Sequence, residues 1–307
     1  MAAANSLGAA APRGASEKTV VVGRAATLTV PFDRLARKLP GWRFQQQSAG
    51  SRFLLRKLLS LHARFDLLAV ADAGLFAAHP RRIGWWLEFA GNQLVLAYTP
   101  RSRYAARINP ENWPQILLRP GVRFGYADPN LDPEGYNALL AWKLTARLDH
   151  QPGLYRRLRT APGGVERPQS VALLALLEAG EIDYAWEYRS VARQHGLEFV
   201  PLPAAVNLGS AQDAAAYARA SVRVAGKAPG ETVRQRGRPI RYAITIPATA
   251  RDIPGALAFL RRLASPAGRA VLAASDQTAL HPPCRGGALA RAPQGVRRWL
   301  RQWPRCR

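Results

Sequence analysis

Short apolar runs alternate along the chain with segments in which apolar residues recur at helical spacing. Residues 19–22 form a β-branched run that predicts a buried strand, and residues 30–39 have the spacing of a helix. The same pattern predicts strands at residues 42–47, 65–71, 93–99, 122–126, 182–186 and 241–247, helices at residues 52–62, 101–116, 135–148, 170–179 and 253–264, and an exposed Pro-, Gly- and Arg-rich loop at residues 151–168. Strands that alternate with helices are typical of an α/β fold with a parallel sheet.

The order of these elements predicts two lobes joined by a hinge. Two α/β units follow one another, and two long strands, 94–98 and 242–246, are expected to cross between them. A ligand would then lie in the cleft between the lobes. The expected division is a leader at residues 1–17, a first lobe from residues 18–96 and 243–280, a second lobe from residues 97–242, and a C-terminal tail at residues 281–307 packed on the first lobe.

The chain is strongly basic, with a formal net charge of +24. Such a charge can indicate nucleic-acid binding. Here the basic residues are almost all arginine and are spread along the chain, and no aromatic–basic platform or DNA-binding helix pair is evident. We therefore prefer a compositional bias of the surface and predict no nucleic-acid partner, with a basic nucleic-acid-binding protein as the alternative. No run of 18 or more apolar residues occurs, so we expect no membrane-spanning segment.

The two ends of the chain leave questions open. Residues 1–16 contain many small residues but neither a basic region nor an apolar core, so they do not have the pattern of a signal peptide. The two cysteines, Cys284 and Cys306, could form a disulfide in an oxidising compartment or remain two free thiols. No Cys/His cluster has the spacing of a metal site.

Three loops of small or polar residues lie between a predicted strand and a predicted helix: residues 25–27, 48–51 and 128–136. In α/β sheets ligands bind beyond the carboxyl ends of strands, where helix N-termini offer free N–H groups to an anion. Thr27 and Ser51 add hydroxyl groups. Taken alone, each loop is better explained by an ordinary helix cap.

Two carboxylates accompany these loops. Asp132 lies at the predicted start of a helix, and Glu187 follows the predicted strand 182–186. The simpler interpretations are an N-cap for Asp132 and an ion pair with Arg189 or Arg193 for Glu187. A general acid/base pair is a third possibility, although no nucleophile accompanies it.

The motifs together resemble a known family. They are LLALLEAGEIDYAWEYRSVARQHG at residues 173–196, VRFGYADPNLDPEGY at 122–136, LTVPF at 28–32, SAGS at 48–51 and AVAD at 69–72. They are similar to the solute-binding proteins of tungstate/molybdate ABC transporters, in the archaeal-type branch that holds its metal in six-fold coordination. The resemblance spans nearly the whole chain, from about Val20 to Leu300.

This resemblance implies a type II periplasmic-binding-protein fold and a non-enzymatic protein, monomeric and without a cofactor, that delivers an oxyanion to a permease from the periplasm or the cell surface. It implies that Asp132 and Glu187 coordinate the molybdenum or tungsten, because a hard hexavalent centre accepts carboxylate oxygens whereas the sulfur of sulfate cannot. The residues it assigns to the ligand are Ala26, Thr27, Ser51, Asp132, Pro133, Glu134 and Glu187.

The chain departs from the family at three of these positions. Ala26 and Thr27 replace a usual Gly-Ser pair, which keeps the hydroxyl and adds two methyl groups that could tighten the pocket. Glu134 replaces a small residue; if only its N–H is used, its side chain is expected to point away. A cytoplasmic oxyanion sensor on the same fold remains the alternative, since no secretion signal is visible.

Overall fold

The computed structural model describes residues 18–226, 228 and 230–306; the leader at residues 1–17 lies outside them. Two main sheets organise these residues. The strands and helices are β1 Lys18–Ala25, α1 Thr29–Ala36, β2 Trp42–Ala49, α2 Ser51–Leu59, β3 Leu67–Val70, α3 Gly74–Ala77, β4 Trp85–Gly91, β5 Leu94–Tyr98, α4 Trp113–Leu117, β6 Phe124–Ala127, α5 Pro133–Leu148, α6 Leu154–Arg159, β7 Gly164–Arg167, α7 Val171–Glu178, β8 Tyr184–Tyr188, α8 Arg189–Gln194, β9 Glu198–Pro201, α9 Ala214–Tyr217, β10 Ser221–Ala225, β11 Thr232–Arg236, β12 Arg241–Thr245, α10 Ile253–Ala264, α11 Pro266–Ala273, β13 Thr278–Gly287 and α12 Gln294–Leu300.

The first lobe is built on a six-stranded sheet in the order β13-β4-β12-β3-β1-β2. The strands β1, β2 and β3 run parallel, as predicted from their alternation with helices. The strands β12, β4 and β13 pair antiparallel with their neighbours. The sheet is therefore mixed instead of wholly parallel.

The second lobe is built on a five-stranded sheet in the order β7-β6-β8-β5-β9. Here β6 pairs in parallel with β7 and β8, while β5 runs antiparallel to β8 and β9. Its core includes Trp113, Trp142 and Trp186, whose rings pack edge to face. A separate hairpin, β10–β11, packs against α5.

The two long strands expected to cross between the lobes each pair within one sheet. β5 is bonded on both sides in the second sheet, and β12 on both sides in the first. A strand whose two edges are paired in one sheet cannot also belong to another. The chain leaves the first sheet through residues 92–93 and returns to it through residues 202–240, which include α9 and the β10–β11 hairpin. Beside these links Leu94 N–H donates to Asn207 O (2.8 Å), and Ile240 N–H donates to Leu208 O (2.7 Å).

Two segments differ from their predicted structure. Residues 101–116 form turns followed by the short helix α4, because Asn109 and Asn112 use their side chains to bond nearby backbone N–H groups. The predicted loop at residues 151–168 contains α6 and β7. Leu154 and Leu158, four residues apart, are both buried and fix α6 against the second lobe.

The C-terminal residues complete the first sheet. β13 pairs with β4, and α12 buries Val296 and Leu300. Cys284 and Cys306 form a disulfide, which settles the alternative left open by the sequence. Among the helices of the described residues, none has both the length and the apolar character needed to span a membrane.

Candidate functional site

The first predicted loop forms a single 3₁₀ turn, Ala26–Leu28, directly after β1. Ala26 and Thr27 are buried, and the Thr27 hydroxyl lies 2.9 Å from the hydroxyl of Tyr242 on β12. The Thr27 side chain makes no capping bond. The simpler interpretation of Thr27 as a helix cap is therefore wrong, and its hydroxyl is held by Tyr242.

The second loop places Ser51 at the start of α2. The Ser51 oxygen accepts from the Ala71 N–H at 2.9 Å and does not cap its own helix. A hydroxyl that accepts one bond still has its hydrogen to donate. Just before it, Gly50 lies against the second lobe: a Cβ added there would lie 2.5 Å from the carbonyl oxygen of Leu131. Only glycine allows this approach between the lobes.

The third loop ends at Asp132, which caps α5. One oxygen of Asp132 accepts from the Glu134 N–H at 3.1 Å and the other from the Ser170 N–H at 3.3 Å. The interpretation of Asp132 as the N-cap of α5 is therefore confirmed. Pro133 follows as the first helical residue, where a missing N–H costs nothing. The Asp132 carboxylate is buried, whereas an ordinary N-cap usually faces water.

Glu134 is fully buried and does not point away from the site. Its N–H is engaged by Asp132, and one of its carboxylate oxygens accepts from the Ala127 N–H at 2.8 Å. The other oxygen has no hydrogen-bond partner among the described residues. The structure thus adds a third buried carboxylate to the two that sequence analysis assigned to the site.

Glu187 lies at the end of β8 and is fully buried. One oxygen accepts from the Tyr188 N–H at 3.0 Å, and the other has no partner in the described part of the chain. The two proposed arginine partners are engaged elsewhere: Arg189 bonds Asp276 at 2.7 Å, and Arg193 lies over the ring of Phe199. The interpretation of Glu187 as half of a surface ion pair is wrong.

The three carboxylates sit in a strongly desolvated environment. Burial raises the pKa of Asp132 to about 6 and that of Glu187 to about 8. The pKa of Glu134 is raised well above its usual value, first by burial and then by the charges of Glu187 and Asp132. No lysine or arginine forms an ion pair with any of the three among the described residues. Buried acids without a counter-charge lower the stability of the folded protein. Such groups cluster at functional sites, so they indicate one here.

Residues that sequence analysis did not select complete the polar cluster. Tyr242 accepts from the Asn92 amide at 3.1 Å, and Asn92 donates to the Ser190 hydroxyl at 2.7 Å. Asn137 on α5 donates to the Tyr188 hydroxyl at 3.0 Å. Little in the sequence indicated these residues, because polar groups on otherwise apolar elements indicate a buried network only when the packing is known.

Ser170 belongs to the same cluster. It is fully buried at the start of α7, its N–H donates to Asp132, and its hydroxyl has no hydrogen bond of normal geometry in the described structure. The nearby Ser170 hydroxyl moderates the pKa of Glu187. The unpartnered oxygens of Ser170, Glu134 and Glu187 therefore lie in one electrostatically connected region.

The two lobes are in contact around this region. The Tyr136 hydroxyl on α5 donates to Asp72 of the first lobe at 2.6 Å, and Gln235 of the hairpin donates to the same carboxylate at 3.1 Å. Arg52 on α2 donates to the Asn130 carbonyl at 3.0 Å. These bonds cross between the lobes, so the structure is the closed form.

Two open cavities on the described surface lie away from the carboxylates. The larger, about 940 Å³, is lined by residues of α5 and α6 together with Ala205, and another, about 180 Å³, lies near Asn92 and Arg189. Neither includes a residue predicted to hold the ligand. The chemistry of the buried groups, more than the size of a cavity, identifies the carboxylate cluster as the candidate site.

Fold and site together define a two-lobe ligand-binding protein with a periplasmic-binding-protein fold. Residues 20–275 match the model of a family described as bacterial extracellular solute-binding protein. The chain belongs to this family, whose members bind solutes and are not enzymes.

Similar proteins agree with this assignment. An uncharacterized solute-binding protein of Petrotoga mobilis is 40% identical over 289 residues, covering 92% of this chain and 90% of the relative. The molybdate/tungstate-binding protein WtpA of Thermococcus kodakarensis is 30% identical over 314 residues, covering 91% and 87%.

Solved structures share the fold at low identity. The periplasmic molybdate-binding protein of Azotobacter vinelandii superposes with a TM-score of 0.58 at 17% identity, covering 84% of this chain and 98% of that one. The sulfate-binding protein SubI of Mycobacterium tuberculosis gives 0.59 at 12%, covering 86% and 88%. Since both match equally well, the fold does not select the ligand.

Proposed function

We propose that this protein captures tungstate or molybdate between its lobes and delivers it to the permease of an ABC importer. The observation that carries the proposal is the pair of buried carboxylates, Asp132 and Glu187, which lack a cationic partner in the described structure. The name of the Thermococcus kodakarensis relative supports the same ligand. No cofactor is required.

The chemistry of the ligand explains why acids would line an anion site. A tetrahedral oxyanion carries four oxygens, and its molybdenum or tungsten is a hard centre that accepts two more. Asp132 and Glu187 would supply them, and the free oxygen of Glu187 is available for such a bond. Sulfur cannot expand its coordination in this way, so sulfate would meet only the repulsion of the acids.

The remaining groups would bind the oxo atoms. Thr27 and Ser51 have hydroxyl groups buried at the starts of two segments of the first lobe, and Ser170 has an unpartnered hydroxyl in the second. The N–H of Glu134, expected to reach the ligand, bonds Asp132 in the closed form. We therefore assign oxo binding to the hydroxyls, with Ala26 and Pro133 shaping the wall and the Glu134 carboxyl adjoining the metal ligands.

The decisive experiment is calorimetric titration of the ligand-free protein with tungstate, molybdate and sulfate. We expect one-to-one binding of the first two and none of sulfate. Glu187→Gln and Asp132→Asn should each weaken tungstate binding at least about 30-fold, because they remove one partner of a buried charged contact. Glu178→Gln, on an exposed glutamate, is the matched control. Unchanged affinity and selectivity in both site variants would refute the proposed coordination.

We further propose that the protein works outside the cytoplasm, in the periplasm or on the cell surface. The family is one of extracellular solute-binding proteins, and the Cys284–Cys306 disulfide is typical of an oxidising compartment. Alkylation of intact cells followed by mass spectrometry tests this. A disulfide that is oxidised in cells supports it, whereas two alkylated thiols would favour the cytoplasmic sensor.

A further inference from the structure

The C-terminal tail carries an unbalanced charge. Residues 281–307 contain seven arginines and no acidic residue. From Arg285 to Arg305 no arginine lies within ion-pair distance of a carboxylate in the described structure. Elsewhere in the molecule several arginines, such as Arg24 and Arg189, pair with an aspartate. The tail is thus a concentrated positive region within a basic protein.

Hydrogen bonds connect the tail to other basic residues of the first lobe. Arg297 on α12 donates to the Ala290 carbonyl at 2.7 Å, and Arg291 donates to the carbonyls of Pro80 and Arg81 at 3.0 and 3.1 Å. These contacts use backbone carbonyls, which leave the positive charges uncompensated. They join α12 to the 3₁₀ turn Leu289–Arg291 and to the loop before β4.

Partly buried and exposed apolar groups occur in the same segments. The rings of Trp299 and Trp303 pack against each other at 5.9 Å and are only partly buried. Beyond the loop before β4, Arg82 donates to the Leu59 carbonyl at 3.3 Å, close to Leu61, which is 64% exposed. We call this surface the basic face; its exposed members are Leu61, Arg81, Arg82, Arg291, Arg298 and Arg301.

We propose that the basic face binds the surface of a membrane that contains anionic phospholipid. Unpaired arginines are attracted to anionic headgroups, and tryptophan together with an exposed leucine suits the boundary between headgroups and acyl chains. Such an attachment would hold the protein beside a membrane-embedded partner without a spanning helix. This inference does not depend on which solute occupies the cleft.

The test is flotation of the purified chain with vesicles of phosphatidylcholine, alone or with about one third phosphatidylglycerol, at moderate salt. The wild type should float only with the anionic vesicles. Arg298→Glu combined with Arg301→Glu should weaken this binding at least about 30-fold, given the usual contribution of a basic residue near an anionic surface. Both arginines are exposed, and their side chains make no hydrogen bond or ion pair within the described residues, so the variant should fold.

The matched control is Arg156→Glu combined with Arg157→Glu, two exposed arginines on α6 that change the net charge equally. The control should retain most of the vesicle binding. Equal losses in both variants would mean that total charge, and not the basic face, attracts the vesicles, and would overturn the proposal. So would failure of the wild type to float. Binding to a permease in neutral nanodiscs that only the Arg298/Arg301 variant loses, with vesicle binding intact, would assign the face to a protein instead.

Discussion

The substitution Glu187→Gln isolates the effect of one buried charge. Glu187 is fully buried: one oxygen accepts a hydrogen bond from the Tyr188 N–H, and the nearby Ser170 hydroxyl opposes the effect of burial on its pKa. Glutamine keeps the volume of the side chain and an oxygen to accept that bond. The variant therefore removes the ionisable group while leaving the packing of β8 almost unchanged.

The effect of Glu187 on the free energy of unfolding follows from its pKa. Burial raises the pKa of Glu187 from 4.5 to about 8, so the folded protein holds this proton more tightly than the unfolded chain. The stability that this group contributes is complete below pH 4.5 and is lost as the pH rises toward about 8. Between pH 4.5 and pH 7 the loss in free energy of unfolding is on the order of 3 kcal/mol.

We therefore expect ligand-free Glu187→Gln to be more stable than the wild type at pH 7, by on the order of 3 kcal/mol, and nearly equal to it at pH 4.5. Urea denaturation at several pH values between 4.5 and 8 measures the difference, with Glu178→Gln as the exposed control. A variant that is less stable at pH 7, or that follows the same pH dependence as the wild type, would refute the account of Glu187 as a costly buried acid. Higher stability with lost tungstate binding would show that the site sacrifices stability for function.

Three further predictions concern closure, ionisation and the tail. Gly50→Ala should weaken tungstate binding at least about tenfold, because its Cβ would collide with Leu131 on closure; calorimetry measures this, and Gly153→Ala, in open space, should bind normally. Tungstate affinity should rise from pH 5 to pH 8 with proton release, detectable as a dependence of the binding heat on the buffer, because coordination needs ionised Asp132 and a second ionised acid whose pKa is about 8. Cys284→Ser should lower the free energy of unfolding by about 3 kcal/mol relative to the oxidised wild type, because the disulfide closes a loop of 22 residues; denaturation measures this, and the reduced wild type should match the variant.

The sequence alone determined the elements and the chemical groups. Apolar periodicity was enough for the first three strands and the helices between them, because each segment forms locally against a sheet that any α/β chain must build. The motifs around Asp132 and Glu187 were enough to identify the family, whereas the assignment of both carboxylates to the ligand stays a prediction. The helix predicted for residues 101–116 was wrong, because polar side chains there compete with the helix for backbone hydrogen bonds.

Only the tertiary structure decided how these groups meet. In the structure the chain crosses between the lobes outside β5 and β12, because each of these strands pairs on both edges within one sheet. Such pairing depends on partners that are distant in the chain. The tertiary structure buried Glu134 beside the two expected acids, joined Cys284 to Cys306, and set Tyr242 against Thr27, more than 200 residues away in the chain. Burial and hydrogen bonding between distant segments have no local signal in the sequence, and at this site they set the ionisation of every acid.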